Sequence, residues 1–319
     1  MIPLWFTSIA LALLSVACSA APVRSPEPVT TSALKEASYA NSQLLVESSW
    51  LAQNLNAPGL RIVDVRTSDS YADGHIPNAL SLPISMAMVN QPFSNELPSA
   101  AAMEALLGGL GIGNNAVRIV VYDDSRGQAA ARAFWTLEYF GLKDKVAILN
   151  GGFPKWQQEN RETTRVAPKL DTATFTARPD ASLLIDRDGL LAKLGKPGFA
   201  VLDTRTAKEY VGEDLRGNKK GGHVPGAVNV NWEDTMTQGD AATWKTPEAL
   251  YSMYAAKGLT VEKTVAVYCQ TGVRAAHGYF TLRLLGYSKV MVYDGSMAEW
   301  NNRVDTPVEA KPNPTASNN

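Results

Sequence analysis

The sequence has little cysteine, and this scarcity restricts its chemistry. Only two of its 319 residues are cysteine, Cys18 and Cys269, so no framework of structural disulfides holds the fold. The chain also lacks an excess of one charge, because 30 Lys and Arg oppose 31 Asp and Glu. A chain this close to neutral has no global attraction for nucleic acid or for an anionic membrane surface. Any anion that it binds must be recognised locally.

Metal-binding patterns are missing as well. The three histidines, His75, His223 and His277, form no cluster at ligand spacing, and no Cys-x-x-Cys pair is present. We therefore expect no metal and no other cofactor. With 45% hydrophobic and 19% charged residues, the composition is that of an ordinary soluble protein. Its length suits two domains of about 100–150 residues each.

The apolar run near the N-terminus is too short for a membrane span and predicts an export signal over residues 1–21. No Lys or Arg precedes the run, which departs from the usual signal. Two processing sites compete: Leu14-Ser15-Val16-Ala17-Cys18 resembles a lipoprotein box with its leucine one place early, whereas Ser19-Ala20-Ala21 suits ordinary signal peptidase. Either predicts an exported, periplasmic protein. The lipoprotein alternative, which a cysteine at that place slightly favours, adds a lipid anchor at Cys18 as the only membrane contact. Residues 22–38 predict a flexible tether.

From residue 39 onward, predicted strands alternate with predicted helices, and the same motifs occur twice. Asp64-Val65-Arg66 recurs as Asp203-Thr204-Arg205, and Gly74-His75-Ile76-Pro77-Asn78-Ala79 recurs as Gly222-His223-Val224-Pro225-Gly226-Ala227. We therefore predict two copies of one α/β unit, each a mostly parallel sheet flanked by helices. The copies span residues 39–160 and 181–308. An extended linker, 161–180, joins them, and a disordered tail follows at 309–319.

The two copies differ at one chemically important place. Tyr122 and Phe134 in the first copy recur at the same spacing as Tyr268 and Phe280 in the second. That alignment places Asp123 opposite Cys269. The second copy therefore carries a nucleophile where the first carries an acid.

The stretch around Cys269 has the pattern of a site. Val265 to Tyr268 predict a buried parallel strand, and Ala275 to Leu285 predict a helix, so Cys269 lies at the carboxyl end of a strand, where open α/β sheets bind ligands. The loop N–H groups and the helix N-terminus favour an anion there, and therefore thiolate over thiol. Gly272 lets the loop curl, and Arg274 adds a positive charge. A buried structural cysteine is the plainer alternative.

Together these motifs resemble the tandem-domain rhodanese family of sulfurtransferases. The resemblance covers roughly Tyr39 to Val308 and includes Leu149-Asn150-Gly151-Gly152-Phe153 with Trp156, and Tyr293-Asp294-Gly295-Ser296 with Trp300. It implies a catalytically silent first domain, commonly with an aspartate at the cysteine's place, in agreement with Asp123.

The resemblance also implies the mechanism. Cys269 would be the catalytic residue that carries a persulfide, and the backbone of Gln270, Thr271, Gly272, Val273 and Arg274 would bind the substrate. The thiolate attacks the outer sulfur of thiosulfate, sulfite leaves, and an acceptor such as cyanide or a thiol then removes the sulfur. Donor and acceptor are small molecules, and no general base is required.

Donor choice depends on charge near the loop. Relatives that use 3-mercaptopyruvate tend to have an uncharged loop and an arginine before the aromatic residue that follows the second Asp-x-Arg. Here Glu209 precedes Tyr210 and the loop ends in Arg274, which favours the dianion thiosulfate. A 3-mercaptopyruvate sulfurtransferase and a non-turnover persulfide carrier for a protein partner remain as alternatives. A phosphatase on this scaffold would need a loop one residue longer.

Overall fold

The computed structural model describes residues 38–91 and 93–310, together with residues 1 and 3. Nearly all of the predicted export signal and tether, including Cys18, lies outside the described residues, as do residues 311–319 of the predicted tail. No helix in the described part of the chain is long and apolar enough to cross a membrane.

The first half of the chain folds around a five-stranded sheet in the order β1-β5-β4-β2-β3, and every neighbouring pair is parallel. The central strands are apolar on both faces because helices cover both sides. The strands are β1 Leu45–Val46, β2 Leu60–Asp64, β3 Ala79–Ser81, β4 Arg118–Tyr122 and β5 Val146–Leu149. The helices are α1 Ser48–Asn54, α2 Ser68–Asp73, α3 Ala100–Gly109, α4 Gln128–Leu137 and α5 Gly152–Gln158.

The second half repeats this arrangement with a four-stranded parallel sheet in the order β7-β6-β8-β9. Leu184 forms an isolated parallel bridge with Val292, at the place that β1 takes in the first sheet. The predicted α/β fold with two parallel sheets is therefore confirmed. The strands are β6 Phe199–Asp203, β7 Val228–Asn229, β8 Thr264–Tyr268 and β9 Val290–Val292. The helices are α6 Arg187–Lys193, α7 Ala207–Val211, α8 Pro247–Ala255, α9 Val273–Leu284 and α10 Ser296–Trp300.

Each repeated Asp-x-Arg motif forms a buried ion pair at the carboxyl end of a central strand, β2 or β6. In the second half Arg205 pairs with Asp203 at 2.6 Å, and the Tyr268 hydroxyl donates to the same carboxylate at 2.7 Å. Arg66 and Asp64 form the matching pair at 2.6 Å in the first half. Because both halves contain the pair, its role is to fix the fold.

The repeated histidines are structural too. The rings of His75 and His223 stack on Tyr71 and Tyr210 respectively, each with 3.7 Å between ring centroids. Each also makes a hydrogen bond between Nδ1 and the carbonyl of the tyrosine below it, at 2.9 and 2.8 Å. This geometry holds the Gly-His turn in both halves, including the half without a cysteine.

The two halves share one hydrophobic core, centred where α4 packs on α9. Phe134 and Phe280, which correspond to each other in the repeat, meet edge to face with 4.9 Å between centroids. Equivalent residues that touch are the mark of two units packed about a pseudo-twofold axis. Across the same contact, Glu138 accepts hydrogen bonds from Tyr279 at 2.6 Å and Arg283 at 3.0 Å.

The predicted linker, residues 161–180, runs extended over the first half. Thr164 forms an antiparallel bridge with His75, and the N–H of Ala173 donates to the carbonyl of Gly108 at 2.9 Å. Its backbone hydrogen bonds are therefore supplied by the first half.

The first residue of the predicted tail pairs with the second half. Glu309 forms an antiparallel bridge with His223, which repeats the pairing of Thr164 with His75. The composition of this segment concealed the pairing because its hydrogen bonds come from the backbone, which any residue type provides.

Candidate active site

The loop that carries Cys269 ends two residues earlier than the sequence predicts. Cys269 follows the last residue of β8 directly, and α9 begins at Val273, two residues before the predicted start at Ala275. Gly272 adopts a left-handed conformation, with φ 78°, immediately before the helix. The loop is therefore Cys269–Gly272, and Val273 and Arg274 belong to the first helical turn, where N–H groups point outward without partners.

Ser296, at the start of α10, holds this loop in place, and the sequence did not predict this contact. Its hydroxyl oxygen accepts hydrogen bonds from the N–H of Cys269 at 3.2 Å and of Gly272 at 3.1 Å, and its proton goes to the carbonyl of Tyr293 at 2.8 Å. Ser296 is fully buried. The sequence did contain a signal for this contact: the repeated Asn/Asp-Gly motif is followed by Gly152 in the first copy but by Ser296 in the second.

The loop leaves backbone donors free beside the thiol. The N–H groups of Thr271, Val273 and Arg274 donate to no acceptor within the described residues. They lie at the N-terminus of the twelve-residue α9, whose dipole adds positive potential. Cys269 itself is 1% exposed and forms no disulfide within the described part of the chain. The arrangement suits a sulfur anion that accepts several N–H bonds.

A cleft of about 440 Å³ opens above the loop. Four predicted substrate-binding residues, Gln270, Thr271, Val273 and Arg274, line it, whereas Cys269 and Gly272 are buried and do not belong to its lining. The remaining lining residues are Asn95, Gln128, Thr206, Glu209, Asp214 and Arg216.

Two side-chain contacts hold the walls of the cleft. The amide of Gln270 exchanges two hydrogen bonds with the amide of Asn218, each 3.0 Å. From the first half of the chain, the Asn95 amide donates to the Thr271 hydroxyl at 3.0 Å. Both halves therefore contribute to the walls of the cleft.

Arg274 is not a free cation. Both of its terminal nitrogens bind the Glu209 carboxylate, at 2.8 and 2.7 Å, and Glu209 is only 2% exposed. Arg216 lies 3.8 Å from the same carboxylate, with its side chain largely exposed. The sequence predicted neither this pair nor its neutralising effect on Arg274.

The pair stays ionised near neutral pH. Burial alone raises the pKa of Glu209, but the hydrogen bonds and charge of Arg274 outweigh it and lower that pKa to about 2. Burial also opposes the charge on Arg274, yet its bonds to Glu209 raise its pKa above the ordinary value. The cleft therefore contains a permanent, fully formed ion pair beside the thiol.

Comparison with known proteins identifies the family. The family model for the rhodanese-like domain matches the chain twice, over residues 47–159 and 186–303. The chain belongs to the rhodanese family.

Similar proteins extend over most of this chain. A thiosulfate sulfurtransferase from Corynebacterium glutamicum is 35% identical over 86% of this chain and 93% of its own length. The sulfur carrier protein TtuD from Thermus thermophilus is 33% identical, over 85% of this chain and 98% of its own. The crystal structure of SseA from Escherichia coli, a 3-mercaptopyruvate sulfotransferase, superposes with a TM-score of 0.71 at 28% identity, over 79% of this chain and 98% of SseA.

In the first half, the Asp123 side chain fills the loop that corresponds to Cys269–Gly272. The Asp123 carboxylate accepts hydrogen bonds from the N–H groups of Gly127, Ala129 and Ala130, at 3.0, 2.8 and 3.1 Å, and from the hydroxyl of Ser125 at 2.6 Å. Burial nevertheless raises the pKa of Asp123. The carboxylate thus occupies the kind of N–H cradle that the second loop leaves free.

A tryptophan from the second half also covers the first loop. The Trp244 ring packs directly against the backbone of Gly127, and the backbone N–H of Trp244 donates to the Asn150 side chain at 3.2 Å. The first loop therefore holds the Asp123 carboxylate in its cradle where the second holds a thiol, and Trp244 covers it.

His277 has no part in the reactive loop. It is fully buried between Trp244, stacked at 5.0 Å, and Trp232, edge-on at 5.1 Å. Burial lowers its pKa to about 3, so the ring is neutral near pH 7. Within the described residues, no group of three His, Cys, Asp or Glu side chains is arranged to hold a metal ion.

Replacing Ser296 by alanine tests the support of the loop. The substitution leaves the N–H groups of Cys269 and Gly272 without their acceptor, and we expect persulfide formation to slow about 10²-fold through misplacement of the thiol. The matched control is Ser125→Ala in the first loop, with expected turnover near that of the parent. Equal rates for the two variants, measured by single-turnover sulfur loading, would contradict this role of Ser296.

Proposed function

We propose that this rhodanese transfers the outer sulfur of thiosulfate, through a persulfide on Cys269, to a thiophilic acceptor such as cyanide or a thiol. The observation that carries the donor assignment is the buried Glu209–Arg274 pair beside the thiol. The sulfurtransferases similar in sequence support the class of reaction.

The pair discriminates between donors by charge. A carboxylate-bearing donor such as 3-mercaptopyruvate gains most from a partly buried cation at the cleft, but both terminal nitrogens of Arg274 are already bound by Glu209, and the other arginine of the lining, Arg216, is largely exposed. Thiosulfate carries its charge on a compact group that the free N–H groups of Thr271, Val273 and Arg274 accommodate without displacing the pair.

The sulfur transfer from thiosulfate to Cys269 needs no general base, because no proton moves in it. The Cys269 thiolate gives an electron pair to the outer sulfur, the S–S bond of thiosulfate breaks, and its electron pair leaves with sulfite. The Cys269 persulfide carries the resulting charge, and the loop N–H groups stabilise it. An acceptor such as cyanide then takes the sulfur, forms thiocyanate and restores the thiolate.

The experiment compares kcat/KM for the two donors in the parent and in Glu209→Gln. Gln at this place keeps the capping box with Thr206 but removes the negative charge. Without the Glu209 carboxylate, Arg274 is free to bind the carboxylate of 3-mercaptopyruvate, so we expect the preference for thiosulfate over 3-mercaptopyruvate to fall about tenfold, which corresponds to roughly 1.4 kcal/mol. The matched control is Glu213→Gln, an exposed carboxylate in the same segment, with an unchanged preference. A parent protein that prefers 3-mercaptopyruvate would overturn the donor assignment.

A second candidate function is supported by the similarity to TtuD. In that case Cys269 holds the persulfide for a protein partner rather than turning over with small acceptors. Stoichiometric loading by thiosulfate, followed by no release to cyanide or to thiols, would favour this carrier role.

We also propose that the protein is exported and works in the periplasm, with Cys18 lipid-modified at the processing site. The apolar run and the lipoprotein-like box at Leu14 to Cys18 support this. Fractionation of expressing cells, with the mass of the mature N-terminus, tests it: a mature chain that starts at Cys18 and carries acyl groups is expected, and an intact Met1 in the cytoplasm would contradict it.

A further inference from the structure

An arginine of the silent first half lies beneath the active loop of the second. Arg132, on α4, is completely buried, and its guanidinium binds the Asp294 carboxylate through both terminal nitrogens, at 2.5 and 3.2 Å. One of these nitrogens also donates to the carbonyl of Asn95 at 2.6 Å. The N–H of Leu97 donates to the same carboxylate at 2.9 Å. Asp294 is therefore held almost entirely by the first half.

The pair touches the backbone of the loop that carries Cys269. At Gly272 there is no space for a side chain, because a Cβ would overlap the Asp294 carboxylate and lie 2.7 Å from Arg132 Nη1. Asp294 is also two residues before Ser296, which binds the Cys269 N–H. The Arg132–Asp294 pair thus packs against Gly272, and Ser296, two residues after Asp294, binds the N–H groups of both Gly272 and Cys269.

The corresponding place in the first half carries no charge. There the repeat places Asn150 opposite Asp294, and Gly278 opposite Arg132. Asn150 accepts the N–H of Trp244, just as Asp294 accepts that of Leu97. The geometry is common to both halves, so the fold alone does not require an ion pair. The charged version occurs at the half that holds the thiol.

We propose that Arg132 is a positioning residue for the active loop: it cancels the charge of Asp294, so that this buried carboxylate repels neither the Cys269 thiolate nor an anionic donor. A buried carboxylate without its cation would act through a low-dielectric medium, where like charges interact strongly. The silent half would then contribute electrostatics to the reaction as well as a wall of the cleft. The inference rests on the proposed role of Cys269 as nucleophile.

Other charged groups near the Cys269 thiol would also affect its ionisation in a test of this proposal. Arg274 and Glu209 face the cleft side of the loop as a closed pair. Behind Asp294 lie Glu96 and Glu299; burial and these neighbouring charges raise the pKa of Glu96 to about 7. Because Glu96 changes charge near neutral pH, the test is performed in a Glu96→Gln background.

The test is the pH dependence of alkylation of Cys269 by iodoacetamide in the full chain, with the Cys269 peptide quantified by mass spectrometry so that Cys18 does not contribute. In Arg132→Met the half-maximal rate is expected about one pH unit higher than in the parent, and in Asp294→Asn about one unit lower. The double variant is expected near the parent. Opposite shifts of the midpoint pH in the two single variants, together with a parent-like midpoint in the double variant, support the proposal. A purely structural role of the pair predicts no such opposition between the two single variants.

Shifts in the same direction, or none in either variant, would overturn it. If Arg132→Met fails to fold, the near-isosteric Asp294→Asn decides alone: an unchanged or higher midpoint refutes the inference. Iodoacetamide requires no sulfur donor, so a failure here is distinct from a failure of the thiosulfate assignment, which sulfur loading measures separately.

Discussion

Sulfur transfer is lost, by at least about 10⁴-fold, when Cys269 is replaced by serine. A serine hydroxyl is not ionised near neutral pH, and the structure places no base within the loop to activate one. The expected observation is the absence of thiocyanate production from thiosulfate and cyanide, with an unchanged circular dichroism spectrum. Because Cys269 contributes only a small buried side chain, folding is preserved.

The matched control is Asp123→Asn at the corresponding place in the first half. The amide keeps one acceptor for the loop N–H groups but loses the second, so we expect a loss of about 1–3 kcal/mol in the free energy of unfolding. Turnover per folded molecule should stay near that of the parent. A folded but inactive Asp123→Asn protein would show that the first half takes part in the chemistry.

Replacing Arg274 by methionine is expected to lower kcat/KM for thiosulfate about 10³-fold. The substitution leaves the Glu209 carboxylate buried and without its cation, next to the thiol and in the path of a dianion. Steady-state kinetics give the value directly. In the double variant Arg274→Met, Glu209→Gln the uncompensated charge is gone, and we expect at least a tenfold recovery over the single variant.

Arg303→Met is the control for loss of an ion-paired arginine. Arg303 pairs with Asp305 on the surface, at 2.9 Å, and lies outside the cleft lining. Its removal is expected to change kcat/KM by less than about twofold. A single Arg274→Met variant as active as this control would contradict the role of Arg274 as the counter-ion that keeps Glu209 from repelling the donor.

The duplication made much of the fold predictable from the sequence. Strands such as Val265 to Tyr268 are apolar on both faces, and repeated motifs such as Asp203-Thr204-Arg205 locate the same ion pair in each half. The position of Cys269 at the end of β8 follows from this local pattern. The predicted start of the following helix, Ala275, was wrong by two residues, because Gly272 adopts a left-handed conformation that allows α9 to begin at Val273.

Contacts between distant parts of the chain were not predictable in the same way. Glu209 is 65 residues from Arg274, and Arg132 is 162 residues from Asp294. No local periodicity relates such residues, because their proximity is created by the packing of α7 on the loop and of one half on the other. The sequence indicated a free positive charge at Arg274, whereas the fold supplies its counter-ion.

The most direct test of the account is the mass of the protein before and after thiosulfate, with the modified peptide identified. We expect the mass of one sulfur atom to be added at Cys269, to disappear with cyanide, and to be absent from Cys269→Ser. A protein that gains no sulfur at Cys269 from thiosulfate, while remaining folded, would contradict the central claim that this thiol carries the transferred sulfur.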